Sequence, residues 1–84
     1  MDLQGLFDTA VANSKLLTKK PGNETLLKLY ALYKQAEKGD QDGTVPENEF
    51  DFVARAKYKA WVAMKGKTKA AAQQEYIDLV KSLQ

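Results

Sequence analysis

Three breaks of unequal length divide this sequence into four stretches whose apolar residues recur at helical spacing, and no stretch of useful length alternates as a half-buried strand would. That pattern commits the chain to helices packed on helices. In the first stretch Leu3, Leu6, Phe7, Ala10, Ser14 and Leu17 share that spacing, which predicts a helix from about Leu3 to Leu17. Lys19-Lys20-Pro21-Gly22 breaks it, and Asn23 is a good N-cap for a second helix that stops near Gly39. From about Gly39 to Phe50 the chain is rich in turn residues, so a long loop is expected. Asp51 is placed to cap a third helix over Phe52 to about Met64. Lys65-Gly66-Lys67 is a short joint, and Thr68 can cap a fourth helix to about Leu83, with Ala72, Tyr76, Leu79, Val80 and Leu83 as its stripe. Short links around Pro21 and Gly66 favour antiparallel neighbours. A loop of about a dozen residues lets the chain return along the length of the bundle, which leaves helices two and three free to run parallel.

An 84-residue chain is expected to be one domain, residues 1–84, only just long enough to build a core without staples. It has no cysteine, so disulfides, thiolate catalysis and cysteine-bound metals are excluded. It has no histidine either, which removes the commonest general base and the commonest transition-metal ligand. A net charge of +2 gives no general electrostatic grip on nucleic acid, and no nucleic-acid partner is expected. No apolar run approaches the roughly 20 residues that cross a bilayer, and Met1-Asp2-Leu3-Gln4-Gly5 lacks the pattern of a secretory signal. The expectation is a cytoplasmic protein. Asn23-Glu24-Thr25 fits a glycosylation sequon but reads as the cap and first turn of a helix.

Three motif lookalikes fail on spacing. Gly66-Lys67-Thr68 resembles the end of a phosphate-binding loop, yet the glycine needed five positions earlier is Trp61. Asp40, Asp42 and Gly43 put glycine at the fourth position of a would-be calcium loop, where the sixth is required. Ser14 and Ser82 have no histidine to activate them. The chain is therefore not expected to be an enzyme, and no metal or cofactor is expected.

The segment Leu26–Ala36 has two useful faces. At about 100° per residue, Leu29, Leu32 and Ala36 make a core stripe, while Tyr30, Tyr33 and Lys34 fall opposite, with Leu26 and Leu27 a turn earlier. Tyr33 offers a flat ring for stacking, Tyr30 a phenolic hydroxyl, and Lys34 ammonium donors for a phosphate oxygen. Lys15, Lys20 and Lys57 can converge on the same region. Lys57 shares a helix face with Ala54, Trp61 and Met64, so its ammonium either snorkels to water or meets an anion. Taken singly, tyrosines at helical spacing also suit the edge of a core, and helical lysines a solvated face. Trp61 and Phe52 are expected in the core, and Tyr76 either closes the core or presents its hydroxyl to a ligand. These residues alone describe a small helical bundle with an anion-and-ring site.

An ordered set of fragments adds to this reading: Lys20-Pro21, Leu29 through Ala36, Gly39-Asp40, Asp51-Phe52, Ala56-Lys57, Ala60-Trp61, Lys65-Gly66 and Tyr76 through Val80. In order and spacing they resemble the acyl-CoA-binding protein family over almost the whole chain. The resemblance implies an all-α four-helix bundle with up-down-down-up connectivity and a long loop between helices two and three. It implies a carrier that binds and buffers medium- to long-chain fatty acyl-CoA and moves it within the cell, making and breaking no bond. By residue, it implies that Tyr30, Lys34 and Lys57 hold the 3′-phosphate of coenzyme A, that Tyr33 meets the adenine, and that Tyr76 contacts the ligand near its ribose and the start of its acyl chain. Lys15 would lie near the nucleotide end, with Val11, Lys20, Leu26 and Leu27 lining the groove. A lipid-like small molecule is then the ligand, the protein is expected to be a monomer, and transient contacts with membranes or acyl-CoA-using enzymes are expected. Departures from the family pattern are Val53-Ala54-Arg55 in place of lysine-glycine-lysine, Tyr58 in place of a frequent tryptophan, and one extra residue between Pro46 and Phe52. The alternative is a helical interaction module that offers its Tyr30/Tyr33 face to a protein or nucleic acid partner.

Overall fold

In the computed structural model, which describes residues 2–43, 45–48 and 50–84, four helices form. They are α1 (Leu3–Ser14), α2 (Asn23–Lys38), α3 (Phe52–Val62) and α4 (Lys69–Leu83), and there is no strand among the described residues. Thr44 and Glu49 of the expected long loop, and Met1, lie outside the described residues. Caps account for three of the helix starts. Asp2 Oδ1 accepts from the Gly5 amide at 2.8 Å, Asp51 Oδ1 from the Ala54 amide at 3.0 Å, and Thr68 Oγ1 from the Ala71 amide at 3.0 Å, each satisfying an amide the helix leaves open. No helix of the described chain is long and apolar enough to cross a membrane.

The structure corrects three boundaries. The first helix ends at Ser14 rather than Leu17, because the Ser14 hydroxyl donates to the Val11 carbonyl at 2.7 Å while the Lys15 and Leu16 amides turn back to Ala12 and Asn13 in tight three-residue steps. Asn23 is the first residue of α2 rather than its cap. Gly22 takes the cap position with no side-chain bond, and Glu24 supplies the negative charge that the first turn favours. The third helix closes at Val62, where the Met64 and Lys65 amides bond three residues back and Gly66, at φ 91°, turns the chain in the left-handed region.

Side-chain neighbours fix the directions. Gln4 at the start of α1 accepts from Gln73 early in α4, and Asn13 shares a groove with Gln84, so α1 and α4 run parallel. Gln35 near the end of α2 meets Lys67 just before α4, and Lys28 lies beside Leu79, so α2 opposes α4. Leu26 and Leu27 face Phe52 and Val53, while Gly39 meets Trp61, so α2 and α3 run parallel. The connectivity is up-down-down-up.

The core joins Phe7 and Ala10 of α1, Leu29, Leu32 and Ala36 of α2, and Ala72, Tyr76, Ile77 and Val80 of α4. Leu79 and Leu83 of the expected α4 stripe pack against it half-buried, and Ile77, outside that stripe, is buried toward α1. The third helix contributes no buried residue and touches α2 alone among the helices. Its expected core members are therefore corrected. Phe52 is 75% exposed because α3 packs on α2 alone and leaves its first turn uncovered by any other helix, and Trp61 is half-buried outside the core cluster, tied by an indole Nε1 bond to the Gly39 carbonyl at 3.0 Å.

A polar node replaces apolar packing where α2 ends. Gln35, fully buried, donates through Nε2 to Asp40 Oδ1 at 2.8 Å and to the Lys67 carbonyl at 2.7 Å. Its Oε1 accepts no bond among the described residues. The Gly66 amide also donates to Asp40 Oδ1, at 2.9 Å. That amide first, then Gln35, and also the charge of Lys65, hold the Asp40 carboxyl below its ordinary value of 3.8. A carboxylate depressed in the folded state adds stability above its unfolded value and loses it as pH falls through the folded one. Urea unfolding should therefore show stability declining as pH drops from about 5 to about 2, with a shallower decline in Asp40→Asn, which keeps the acceptor and removes the titrating group.

Candidate functional site

Removing α3 from the core leaves its inner face to line clefts, and three of them meet along α2. The first, about 290 Å³, lies between α1, α2 and α4 and is bounded by Val11, Ser14, Lys15, Leu17, Pro21, Leu26, Leu29, Tyr30, Tyr33 and Tyr76. The second, about 390 Å³, lies between the starts of α2 and α3 and is walled by Leu26, Leu27, Phe52, Val53 and Ala56, with Asn23 and Lys57 at its edge. The third, about 440 Å³, lies under the long loop and includes Tyr30, Lys38, Ala54, Lys57, Tyr58 and Trp61. Leu26 borders the first two, Tyr30 the first and third, and Lys57 the second and third.

At that junction two ammonium groups from different helices share one ring. Lys57 Nζ lies 5.2 Å from the centre of Tyr30, and Lys34 Nζ lies 5.8 Å from the same ring and 5.7 Å from Trp61. The ring faces attract both cations through their quadrupole. Neither lysine is ion-paired among the described residues, where Lys67 and Glu75 form the salt bridge. Two like charges gathered on aromatic rings without a carboxylate between them are an arrangement that an incoming phosphate would complete.

The remaining expected residues fall into place unequally. Tyr33 is half-buried, its ring stacked against Phe7 at 6.1 Å and tilted against Tyr76 at 6.4 Å, so it forms a wall of the first cleft. Tyr76 resolves toward the core, at 4% exposure and edge-on to Phe7 at 5.2 Å. Its hydroxyl nevertheless reaches the cleft and donates to Ser14 Oγ at 3.1 Å. Val11 and Lys15 line the first cleft, Leu27 the second, and Leu26 both. Lys20 is exposed and lines none of the three. Lys34 also lines none of them and enters only through its ring contacts.

Sequence reasoning missed Trp61 as a partner of Lys34 and missed Phe52, Val53 and Ala56 as cleft walls. The spacing of Trp61 and Lys57, four apart on one helix face, was the available signal for the first. Among the described residues no cluster of histidine, cysteine, aspartate or glutamate could hold a metal ion.

Comparison with known proteins gives consistent findings. The family model described as acyl CoA binding protein matches residues 4–80. The chain is 47% identical over 77 residues to the acyl-CoA-binding protein homolog of Drosophila melanogaster, covering 92% of this chain and 88% of that one. It is 51% identical over 78 residues to enoyl-CoA delta isomerase 2 of Rattus norvegicus, and there it spans 92% of itself but 19% of the longer protein. The crystal structure of Oryza sativa acyl-CoA-binding protein 2 superposes with a TM-score of 0.91 at 39% identity, covering 98% of this chain and 90% of that one.

The Tyr76 hydroxyl bond is half-sheltered and joins α4 to α1. Tyr76→Phe should therefore lower unfolding free energy by about 0.5–1.5 kcal/mol in urea titrations while leaving the helical circular dichroism unchanged.

Proposed function

The chain belongs to the acyl-CoA-binding protein family, and from that premise we propose that it binds fatty acyl-CoA esters and serves as a carrier and buffer for them, without catalysing their conversion. The observation that carries this reading is the pair of cations on Tyr30, neither ion-paired among the described residues, set where Tyr30 joins the first cleft to the third and Lys57 borders the apolar second. Such a junction suits a ligand whose two ends need opposite treatment. Lys34, Lys57 and the Tyr30 hydroxyl would hold the 3′-phosphate, each charge-assisted hydrogen bond contributing about 1.5–3 kcal/mol. Tyr33 would flank the adenine, and Lys15 would lie toward the nucleotide. The acyl tail would leave Tyr76 and Val11 and shelter on Leu26 and Leu27, gaining about 0.8 kcal/mol per buried methylene before ordering costs. Lys20 keeps at most a distant electrostatic part, given where it stands.

Holding the ester does not require chemistry on it. This chain contains neither histidine nor cysteine. A monomer in the cytoplasm that keeps a surfactant-like ester in solution, delivering it to membranes or enzymes, is the setting this reading assigns.

Titration calorimetry tests it. Palmitoyl-CoA should bind more tightly than octanoyl-CoA, free CoA more weakly than either, and palmitate poorly because it lacks the phosphate anchor. Equal binding of palmitate and palmitoyl-CoA would reject a two-ended site. Lys34→Ala should weaken palmitoyl-CoA binding about ten- to a hundredfold with the helical fold intact, and an unchanged dissociation constant would remove Lys34 from the phosphate seat.

A further inference from the structure

Each of the two parallel helices beside the clefts carries a ring and a lysine one turn apart, Tyr30 and Lys34 on α2, Lys57 and Trp61 on α3. Residues at that spacing share a helix face. In the folded chain the pairs cross. Lys57 Nζ lies 5.2 Å from the Tyr30 ring and Lys34 Nζ lies 5.7 Å from the Trp61 ring, so each ammonium meets a ring of the other helix. The phosphate seat proposed above uses three corners of this arrangement and leaves Trp61 without a part. Tyr30 stands on the same helix as Lys34 and moves with it, so their contact at 5.8 Å does not set Lys34 relative to Lys57. The Trp61 contact does, because it ties the Lys34 ammonium to the helix that carries Lys57.

The Trp61 ring is itself anchored. It is half-buried, and its indole Nε1 donates to the Gly39 carbonyl at 3.0 Å. Gly39 stands at φ 79°, in the left-handed region that favours glycine, so the backbone turn that ends α2 aims that carbonyl. A ring fixed in this way restricts a lysine stem whose freedom would otherwise be lost on meeting an anion.

We infer that Trp61 is a positioning residue for the 3′-phosphate, holding the Lys34 ammonium beside Lys57 so that one phosphate group meets both, an inference that rests on the acyl-CoA reading above. The benefit is confined to a ligand that brings this phosphate. An ester lacking it has nothing for the placed ammonium to bind, and the acyl tail is untouched. Trp61 therefore acts on the difference between the two esters and acts through Lys34.

The test titrates palmitoyl-CoA and its 3′-dephospho analogue into the wild type, Trp61→Leu, Lys34→Ala and the double variant, each checked for helical circular dichroism. The preference for palmitoyl-CoA, taken as the ratio of the two dissociation constants, should fall about three- to tenfold in Trp61→Leu, with the dephospho ester binding as in the wild type. On the Lys34→Ala background, Trp61→Leu should leave the ratio where it stands. A tryptophan with only a structural role would weaken both esters alike, and an unchanged ratio in Trp61→Leu would overturn the inference. So would an equal further fall on the Lys34→Ala background. Should Trp61→Leu not fold, the wild type answers through its single tryptophan. Its indole N–H signal in NMR spectra should move further with palmitoyl-CoA than with the dephospho analogue, and equal movement would overturn the inference. A wild type that binds the two esters alike would remove the phosphate seat itself, and one that takes up neither would remove the acyl-CoA reading.

Discussion

The Gln35 carboxamide is where this bundle is held in register. It is fully buried, yet its Nε2 bonds leave α2 in two directions, to Asp40 in the following turn and to the Lys67 carbonyl in the joint before α4. Asp40 extends the node by accepting from the Gly66 amide, and Trp61 adds its indole bond to Gly39. Three chain segments distant in sequence are thereby pinned at one end of the molecule. Unlike apolar contacts, these bonds have direction, and a buried donor left without its acceptor costs the full desolvation of that group. The ends of α2 and α3 cannot slide past one another without breaking them.

That constraint matters because α3 has little else to fix it. It buries no side chain completely and makes no close approach to α1 or α4. An amphipathic helix docked on one neighbour would ordinarily be a weak element, with its position set by a few contacts. Here its C-terminal end is set by the polar node and its N-terminal start by the Asp51 cap. Between those two points, Lys57 is carried to within 5.2 Å of the Tyr30 ring on α2. The separation that opens the clefts and the placement that brings the second cation to Tyr30 are one arrangement: a third helix packed into the core would have closed the groove.

The fold was legible where physics is local. Helical period located all four helices, and Asp51 and Thr68 declared their caps by residue type and position. The long loop allowed the parallel α2–α3 pair that the structure contains. What escaped was set by competition between local and tertiary demands. A hydroxyl at Ser14 took a carbonyl from the helix and ended it early, which no periodicity reveals. Phe52 and Trp61 were assigned to the core by size and apolarity, but those properties do not say whether a helix is central or peripheral, and α3 is peripheral. Gln35 looked like an ordinary polar residue of a helix, because its partners at Asp40 and Lys67 become visible only when the joint folds back. In the candidate site, spacing placed Tyr30, Tyr33 and Lys34 on one face, and the family resemblance singled out Lys57 from the other lysines as their partner, whereas the role of Phe52 and Val53 as walls needed the parallel arrangement of α2 and α3.

The division of labour on α2 explains why its two faces are so unlike. Leu29, Leu32 and Ala36 must satisfy close packing against α1 and α4, which tolerates only apolar side chains of fitting volume. The other face meets α3 across an open space, so packing does not dictate its residues. Yet it carries a tyrosine and a lysine that draw a second lysine toward them. Two ammonium groups on one ring repel each other, and the ring quadrupole offsets only part of that repulsion. Neither ammonium forms an ion pair with a carboxylate among the described residues. A surface free to choose would separate those charges or place an acid between them. Keeping them together on Tyr30, where the clefts adjoin, costs stability, and a phosphate seated there, as proposed above, would offset that cost.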